Sequence, residues 1–207
     1  MSEYKYVEKP FLDQLAVLDW AVIDQGSSIP SDPTKSKRSS FREVVLKEEL
    51  FDALRKINIT EDGQSWLTDK QLDDIYVDLT GQSGDLIEAN QAVQKLLYKY
   101  TIDQNELTGE VNPDVKVIDF KNPENNRFLA INQFRIDTPG CVKSCIIPDI
   151  VLFVNGLPLA VIEGKDANSF TSNPMAEAMT QLWRYSNQRK ETRDAGLKEG
   201  EEKLFHF

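Results

Sequence analysis

Asp149, Glu163 and Lys165 mark the two ends of the most apolar stretch of a polar chain, IPDIVLFVNGLPLAVIEGK, from Ile147 to Lys165. An ionised carboxylate in such surroundings costs on the order of several kcal/mol unless it is paired or holds a cation. Two carboxylates suit a hard divalent cation such as Mg²⁺, with water completing its shell. Such a cation neutralises a phosphodiester and lowers the pKa of a bound water. A lysine beside it orients that water or meets the developing charge. These are the parts needed for phosphodiester hydrolysis. The same residues also fit a plainer arrangement, in which Asp149 and Glu163 end two strands and Lys165 is their ion-pair partner.

Val154-Asn155-Gly156-Leu157-Pro158 separates two apolar runs, and Asn-Gly is a strong hairpin signal. A two-residue loop opposes Asp149 with Ile162 and sends Asp149 and Glu163 to opposite faces of the sheet. An odd loop, closed by Phe153 opposite Leu159, opposes the two carboxylates directly. Pro158 cannot donate to a ladder and favours the longer loop. Joint chemistry therefore predicts an odd loop or a bulge. Lys165 lies two residues past Glu163 and shares its face.

Other elements must position this hairpin. Phe11, Leu12, Leu15 and Leu18 predict a short helix over Pro10 to Leu18, followed by a strand at Trp20 to Ile23. Residues 26–40, GSSIPSDPTKSKRSS, read as a loop long enough to suggest a function. Helical spacing spans Arg42 to Ile57, Thr68 to Tyr76 with Thr68 as cap, and Gly84 to Tyr98. The period then becomes strand-like through DVKVIDF, RFLAINQFRID and the hairpin, and returns to helix after Asn173-Pro174. No internal repeat and no GxxxxGK[ST] phosphate loop occurs. Helices, a run of strands and a closing helix predict an α/β or α+β fold, a mixed central sheet flanked by helices in one domain.

Bulk properties narrow the classes. A hydrophobic content of 40% and a charged content of 28% are those of a soluble globular protein. No run spans a bilayer, and MSEYKYVEKPFLDQL is too charged for a signal peptide, so a cytoplasmic location without a membrane partner is expected. Cys141 and Cys145 are then expected to be reduced thiols. His206 is the sole histidine and the penultimate residue, which disfavours serine–histidine and cysteine–histidine mechanisms. The formal net charge of -10 argues against nucleic-acid binding on charge alone. Locally, Lys35, Lys37, Arg38 and Arg42 form one basic cluster, and Arg184, Arg189, Lys190 and Arg193 another. The second continues the last helix, where it either meets phosphates or forms a solvated face.

With these residues in view, PDIVLFVNGLPLAVIEGK resembles the core of the PD-(D/E)xK nuclease superfamily, with Pro148-Asp149 as one element and Glu163-Gly164-Lys165 as the other. More closely, the chain resembles the N-terminal endonuclease domain of the type I restriction enzyme R (motor) subunit. YVEKPFLDQLAVLDW looks like that domain's opening helix with its glutamate, here Glu8, and DLIEANQAVQKLL like its middle helix. NQFRID precedes the PD strand, and Gln181 to Tyr185 matches a QxxxY element, whose first and last residues share a helix face.

The resemblance implies Asp149, Glu163 and the carbonyl of Gly164 as Mg²⁺ ligands and Lys165 as the residue that positions or activates water. It implies Gln181 and Tyr185 at the DNA backbone or ordering the site, with Arg184, Arg189 and Lys190 nearby as DNA contacts. Glu8 would be a further catalytic carboxylate, although a glutamate there also suits helix capping.

The implied protein is a type I site-specific deoxyribonuclease. Residues 1–207 would be its nuclease domain, with a core at about 84–190, cut from a longer chain whose motor domains bind ATP. Its partners would be double-stranded DNA and the modification and specificity subunits. Two alternatives remain at this point: a nuclease-fold docking and assembly module of the motor subunit, or a standalone PD-(D/E)xK repair nuclease.

Overall fold

The computed structural model describes residues 3–82, 86–137, 144–166 and 173–184, and the side chains of all of these except 86, 183 and 184. In chain order the elements are α1 (Lys9–Val17), β1 (Ala21–Ile23), α2 (Lys47–Ile57), α3 (Asp69–Thr80), α4 (Leu86–Tyr98), β2 (Tyr100–Thr101), β3 (Asp114–Val115), β4 (Phe128–Asn132), β5 (Ile136–Asp137), β6 (Cys145–Ile146), β7 (Ile150–Val154), β8 (Leu157–Ile162) and α5 (Pro174–Arg184). They fall into two compact units. One combines the N-terminal segment up to Val44 with Phe128–Phe153 and the chain from Pro158; the other combines Val45–Arg127 with the hairpin tip Val154–Leu157.

In the first unit a π-helical turn, Tyr4–Glu8, runs straight into α1, where Pro10 occupies the first turn that lacks intrahelical donors anyway. Leu12 and Leu15 lie on one face and form a small core with Ala130 and Ile150, joined by Phe11, Trp20, Val22, Leu152 and Ile162. The four-stranded sheet has the order β1-β4-β7-β8. β1 runs parallel to β4, pairing Ala21 with Leu129 and Ile23 with Ile131. β4 and β7 run in opposite directions: Gln133 N donates to Asp149 O at 2.8 Å near one end, and Asn155 N to Arg127 O at 2.9 Å near the other. The sheet is thus mixed, as the order of elements predicts.

Two expectations fail in this unit. RFLAINQFRID is not a single strand, because Gln133 has φ 49° and turns the chain out of β4. The short β5 that follows pairs instead with β6, Ile136 opposite Ile146 and Asp137 opposite Cys145. Cys145 carries a free thiol; Cys141 lies outside the described residues. Arg38 also leaves the basic cluster predicted for residues 35–42. It is only 3% exposed, its guanidinium lies 3.7 Å from the Phe134 ring centroid, and it donates to Ser36 Oγ and to the carbonyls of Glu43 and Arg135. Burial lowers its pKa to about 10, so Arg38 holds the fold rather than presenting charge to a ligand. The loop predicted at 26–40 contains a 3-10 turn, Pro33–Ser36, whose first amides are capped by Asp32.

In the second unit α2, α3 and α4 bury Leu50, Leu54, Leu72, Ile75, Leu79 and Val93 against Val117 and Leu157. α2 starts at Lys47, not at Arg42, because the amide of Leu46 is spent on Gly156 O at 2.9 Å and Val45 and Leu46 are both buried. α3 opens on the predicted cap. Thr68 Oγ1 accepts from Gln71 N, and Gln71 Oε1 accepts in return from Thr68 N, which satisfies two amides at the helix start. Thr68→Ala is expected to cost about 1 kcal/mol, read as a lowered urea midpoint with unchanged slope.

DVKVIDF forms a strand only at β3, paired with β2. Beyond it the buried Asp119 organises a turn, accepting from Lys121 N, Asn122 N and Asn125 Nδ2. The Asn125 hydrogen bond, foremost among these contacts, holds its carboxyl down at about 2.

Candidate active site

β7 and β8 are joined by Asn155 and Gly156 alone, with φ values of 51° and 78°. Both are left-handed, the combination that matches the twist of a two-residue hairpin. The predicted odd loop is therefore wrong. Asn155 is fully buried and commits every polar group: Nδ2 donates to Val117 O and Asn126 Oδ1, and Oδ1 accepts from Arg127 N. Strict pairing through this turn separates Asp149 from Glu163, yet the Glu163 side chain acts on the Asp149 carboxyl as a near neighbour. The reason is that neither lies in the ladder. Asp149 sits in a bend before β7, Glu163 follows the end of β8, and the in–out alternation is lost along β8, where Leu157 and Pro158 are both buried and Leu159 and Ala160 both exposed.

Asp149 is fixed at both ends. Its carbonyl accepts from Gln133 N, and its Oδ2 accepts from Gly164 N at 2.8 Å. Burial raises its pKa; the Gly164 amide and the Lys165 charge oppose the rise, and the nearby Glu3 adds to it. Gly164 is buried, and a Cβ there would lie 2.9 Å from Val7 Cγ1, so a larger residue requires Val7 to shift. The side chain of Lys165 is 10% exposed, and its Nζ lies 3.8 Å from Glu3 Oε2. A cavity of about 400 Å³ is lined by Tyr6, Val7, Glu8, Glu163, Gly164 and Lys165, among others.

Glu8 closes the π-helical turn and is 4% exposed. It makes no side-chain capping bond to α1. Its Oε2 instead accepts from Gln133 Nε2 at 3.0 Å and from Asn132 Nδ2 at 3.5 Å. Burial raises its pKa against the pull of the Gln133 amide, and the charge of Asp149 pushes the same way. Glu8 and Asp149 thus share one electrostatic environment although they lie far apart in sequence.

Asp149, Glu163, Gly164, Lys165 and Glu8 are therefore gathered in one place. Gln181 stands on α5 with a buried Oε1 that has no hydrogen-bond partner among the described residues. Arg184 ends that helix, with its side chain outside the described residues; Tyr185, Arg189, Lys190 and Arg193 lie outside them altogether. Sequence reasoning missed Glu3, Asn132 and Gln133. The adjacent amides at the end of an apolar strand were a signal for the last two; a glutamate in a charged N-terminal segment was none for Glu3.

The donor set fits a hard cation. Two neighbouring carboxyl groups offer oxygen ligands to a metal, and a carboxyl destabilised by burial gains from such a charge. Among the described residues no group of three or more His, Cys, Asp or Glu side chains forms a ready-made cage.

Fold and site together define a mixed α/β domain with a carboxylate pair and a lysine just beyond its central hairpin. The chain belongs to the family described as type I restriction enzyme R protein N terminus (HSDR_N), which matches residues 1–207. It is 34% identical over 174 residues to the type I restriction enzyme HindI endonuclease subunit of Haemophilus influenzae, an alignment covering 83% of this chain and 15% of that protein. It is 28% identical over 174 residues to a putative type I restriction enzyme MjaIXP endonuclease subunit of Methanocaldococcus jannaschii, covering 82% of this chain and 16% of the relative. The chain thus spans well under a fifth of the length of these relatives. Among the described residues no helix is long and apolar enough to cross a membrane.

Proposed function

We propose that this chain is the metal-dependent DNA endonuclease domain of a type I restriction enzyme, built on a PD-(D/E)xK core. The observation that carries the reading is the Asp149–Glu163 carboxyl pair, with the Gly164 amide on Asp149 and Lys165 next in sequence. The carboxylates and the Gly164 carbonyl would hold Mg²⁺. When bound, the ion supplies Lewis acidity at the phosphoryl oxygen and a water of lowered pKa.

The chain's own residues do the rest. Asp149 and Glu163 bind and orient; Lys165, largely withdrawn from solvent, aims its ammonium at the attacking water or the developing charge. Glu8, whose proton affinity is raised by burial, takes up a proton at its carboxylate. Gln181 and Tyr185 of the QxxxY element meet the DNA backbone, and Arg184, Arg189 and Lys190 meet phosphates.

The substrate is double-stranded DNA, delivered by the ATP-dependent translocase of the full subunit. Modification and specificity subunits complete the assembly, in the cytoplasm. A domain of net charge -10 binds DNA weakly alone, which assigns affinity to the motor. Lys165→Ala is expected to slow cleavage of supercoiled DNA by the reconstituted complex about 100-fold or more while ATP hydrolysis continues. Cleavage at the wild-type rate by this variant overturns the reading.

A further inference from the structure

Gln133 links the Glu8 carboxylate to the backbone that carries Asp149. Its backbone amide donates to the carbonyl of Asp149, and its side-chain Nε2 donates to Glu8 Oε2 at 3.0 Å. It does so from φ 49°, a left-handed conformation that costs a non-glycine residue on the order of 1 kcal/mol or more. The strain is held in place from behind. Gln25, just past β1, donates through Nε2 to the carbonyls of Asn132 and Gln133 and through its backbone to Asn132 Oδ1. Asn132, fully buried, donates in turn to Gly26 O at 2.9 Å and reaches Glu8 at 3.5 Å. A row of side-chain amides thus closes the ends of two parallel strands, and one member of that row points forward into the carboxylate cluster.

We propose that Gln133 is a positioning residue for cleavage: it holds Glu8 in register with Asp149 by donating through its side chain to one and through its backbone to the other. The inference rests on the nuclease reading above. A packing role alone does not require a side-chain amide, because the backbone bond to Asp149 survives any side chain that tolerates the left-handed conformation. An amide is needed because Glu8 is a buried acceptor, and only a donor that stays neutral satisfies it without removing its charge.

The test uses the full subunit in its assembled complex. Gln133→Asn keeps an amide and the tolerance for a left-handed backbone, but shortens the reach to Glu8 by one carbon. It is expected to slow DNA cleavage at least about tenfold, the lower end for loss of a supporting hydrogen bond at such a site. ATP hydrolysis is expected to stay unchanged. Hydrogen exchange is expected to leave the amides of Gln133 and Gly164 protected, showing that the backbone around Asp149 persists. Added to Glu8→Gln, the same change is expected to cause no further loss, because Gln133 acts through Glu8.

Wild-type cleavage by Gln133→Asn overturns the proposal, and so do losses that multiply in the Glu8→Gln background or amide protection lost together with cleavage. Asp149→Ala runs alongside. If it is inactive while Gln133→Asn cleaves normally, only the role of Gln133 falls. If Asp149→Ala itself cleaves at the wild-type rate, the nuclease reading falls and this inference with it.

Discussion

Asp149→Asn is expected to abolish DNA cleavage by the complex and, in metal-free buffer at neutral pH, to raise the melting temperature of the chain. The two effects have one cause. Burial makes the ionised Asp149 carboxyl costly, and the folded state therefore holds its proton more tightly than the unfolded state does. A group whose folded pKa is raised binds more protons when folded, so its contribution to stability falls as pH rises from the ordinary carboxylate range through the folded pKa. Asparagine removes that penalty, while its side-chain oxygen still accepts from Gly164 N and its amide donates to Glu163. The gain should vanish in acid, below the ordinary carboxylate pKa, where Asp149 is protonated in both states. The same change removes the negative charge of the proposed metal ligand, for which a loss of about 100-fold or more in cleavage is expected. Thermal melts of both proteins across pH, beside cleavage assays of the complex, check the pair. A variant no more stable than wild type at neutral pH refutes the electrostatic account, and retained cleavage refutes the ligand role.

Gly156→Ala is expected to be the most damaging small substitution in the hairpin. The position has φ 78°, and a Cβ there would lie 2.6 Å from Leu46 O and 2.7 Å from Leu50 N. Both are main-chain atoms at the start of α2, so relief requires moving the hairpin tip or the helix. The strained φ alone costs about 1 kcal/mol, and overpacking against rigid backbone adds about 1–3 kcal/mol more. Gly63 separates these contributions: it has φ 84° with nothing within 4 Å of a built Cβ. Gly63→Ala should show the conformational cost only. Urea titration of both variants measures the difference, and equal losses would mean that the contact with α2 is not rigid.

How far the sequence disclosed this arrangement depended on the range of the interactions. The cap at Thr68 and the amphipathic run that follows were legible because both are local. The strand at Ala21–Ile23, the hairpin and the mixed sheet were legible from apolar runs bounded by turn residues. The start of α2 was not, since Leu46 keeps its helical spacing but gives its amide to the hairpin tip. The end of DVKVIDF was not, since Val117 and Ile118 are buried as in a strand while Asp119 and Asn126 bend the backbone. The turn itself failed for an instructive reason. Asn155-Gly156 named the correct loop, and the odd count came from assuming that Asp149 and Glu163 belong to the ladder. They lie just beyond it, where register no longer dictates which way a side chain faces.

Glu8 also gives the domain an order of events. It is made long before Lys165, and nothing in its own stretch of chain resembles an active site. Its carboxylate acquires neighbours only when the strand ending at Asn132 and the segment at Glu163-Gly164-Lys165 have both come into place, contacts of high sequence separation whose loop-closure entropy must be met first. A nascent or locally opened chain holds scattered acids and a lone lysine, so in the proposed nuclease catalytic competence would report completed tertiary structure.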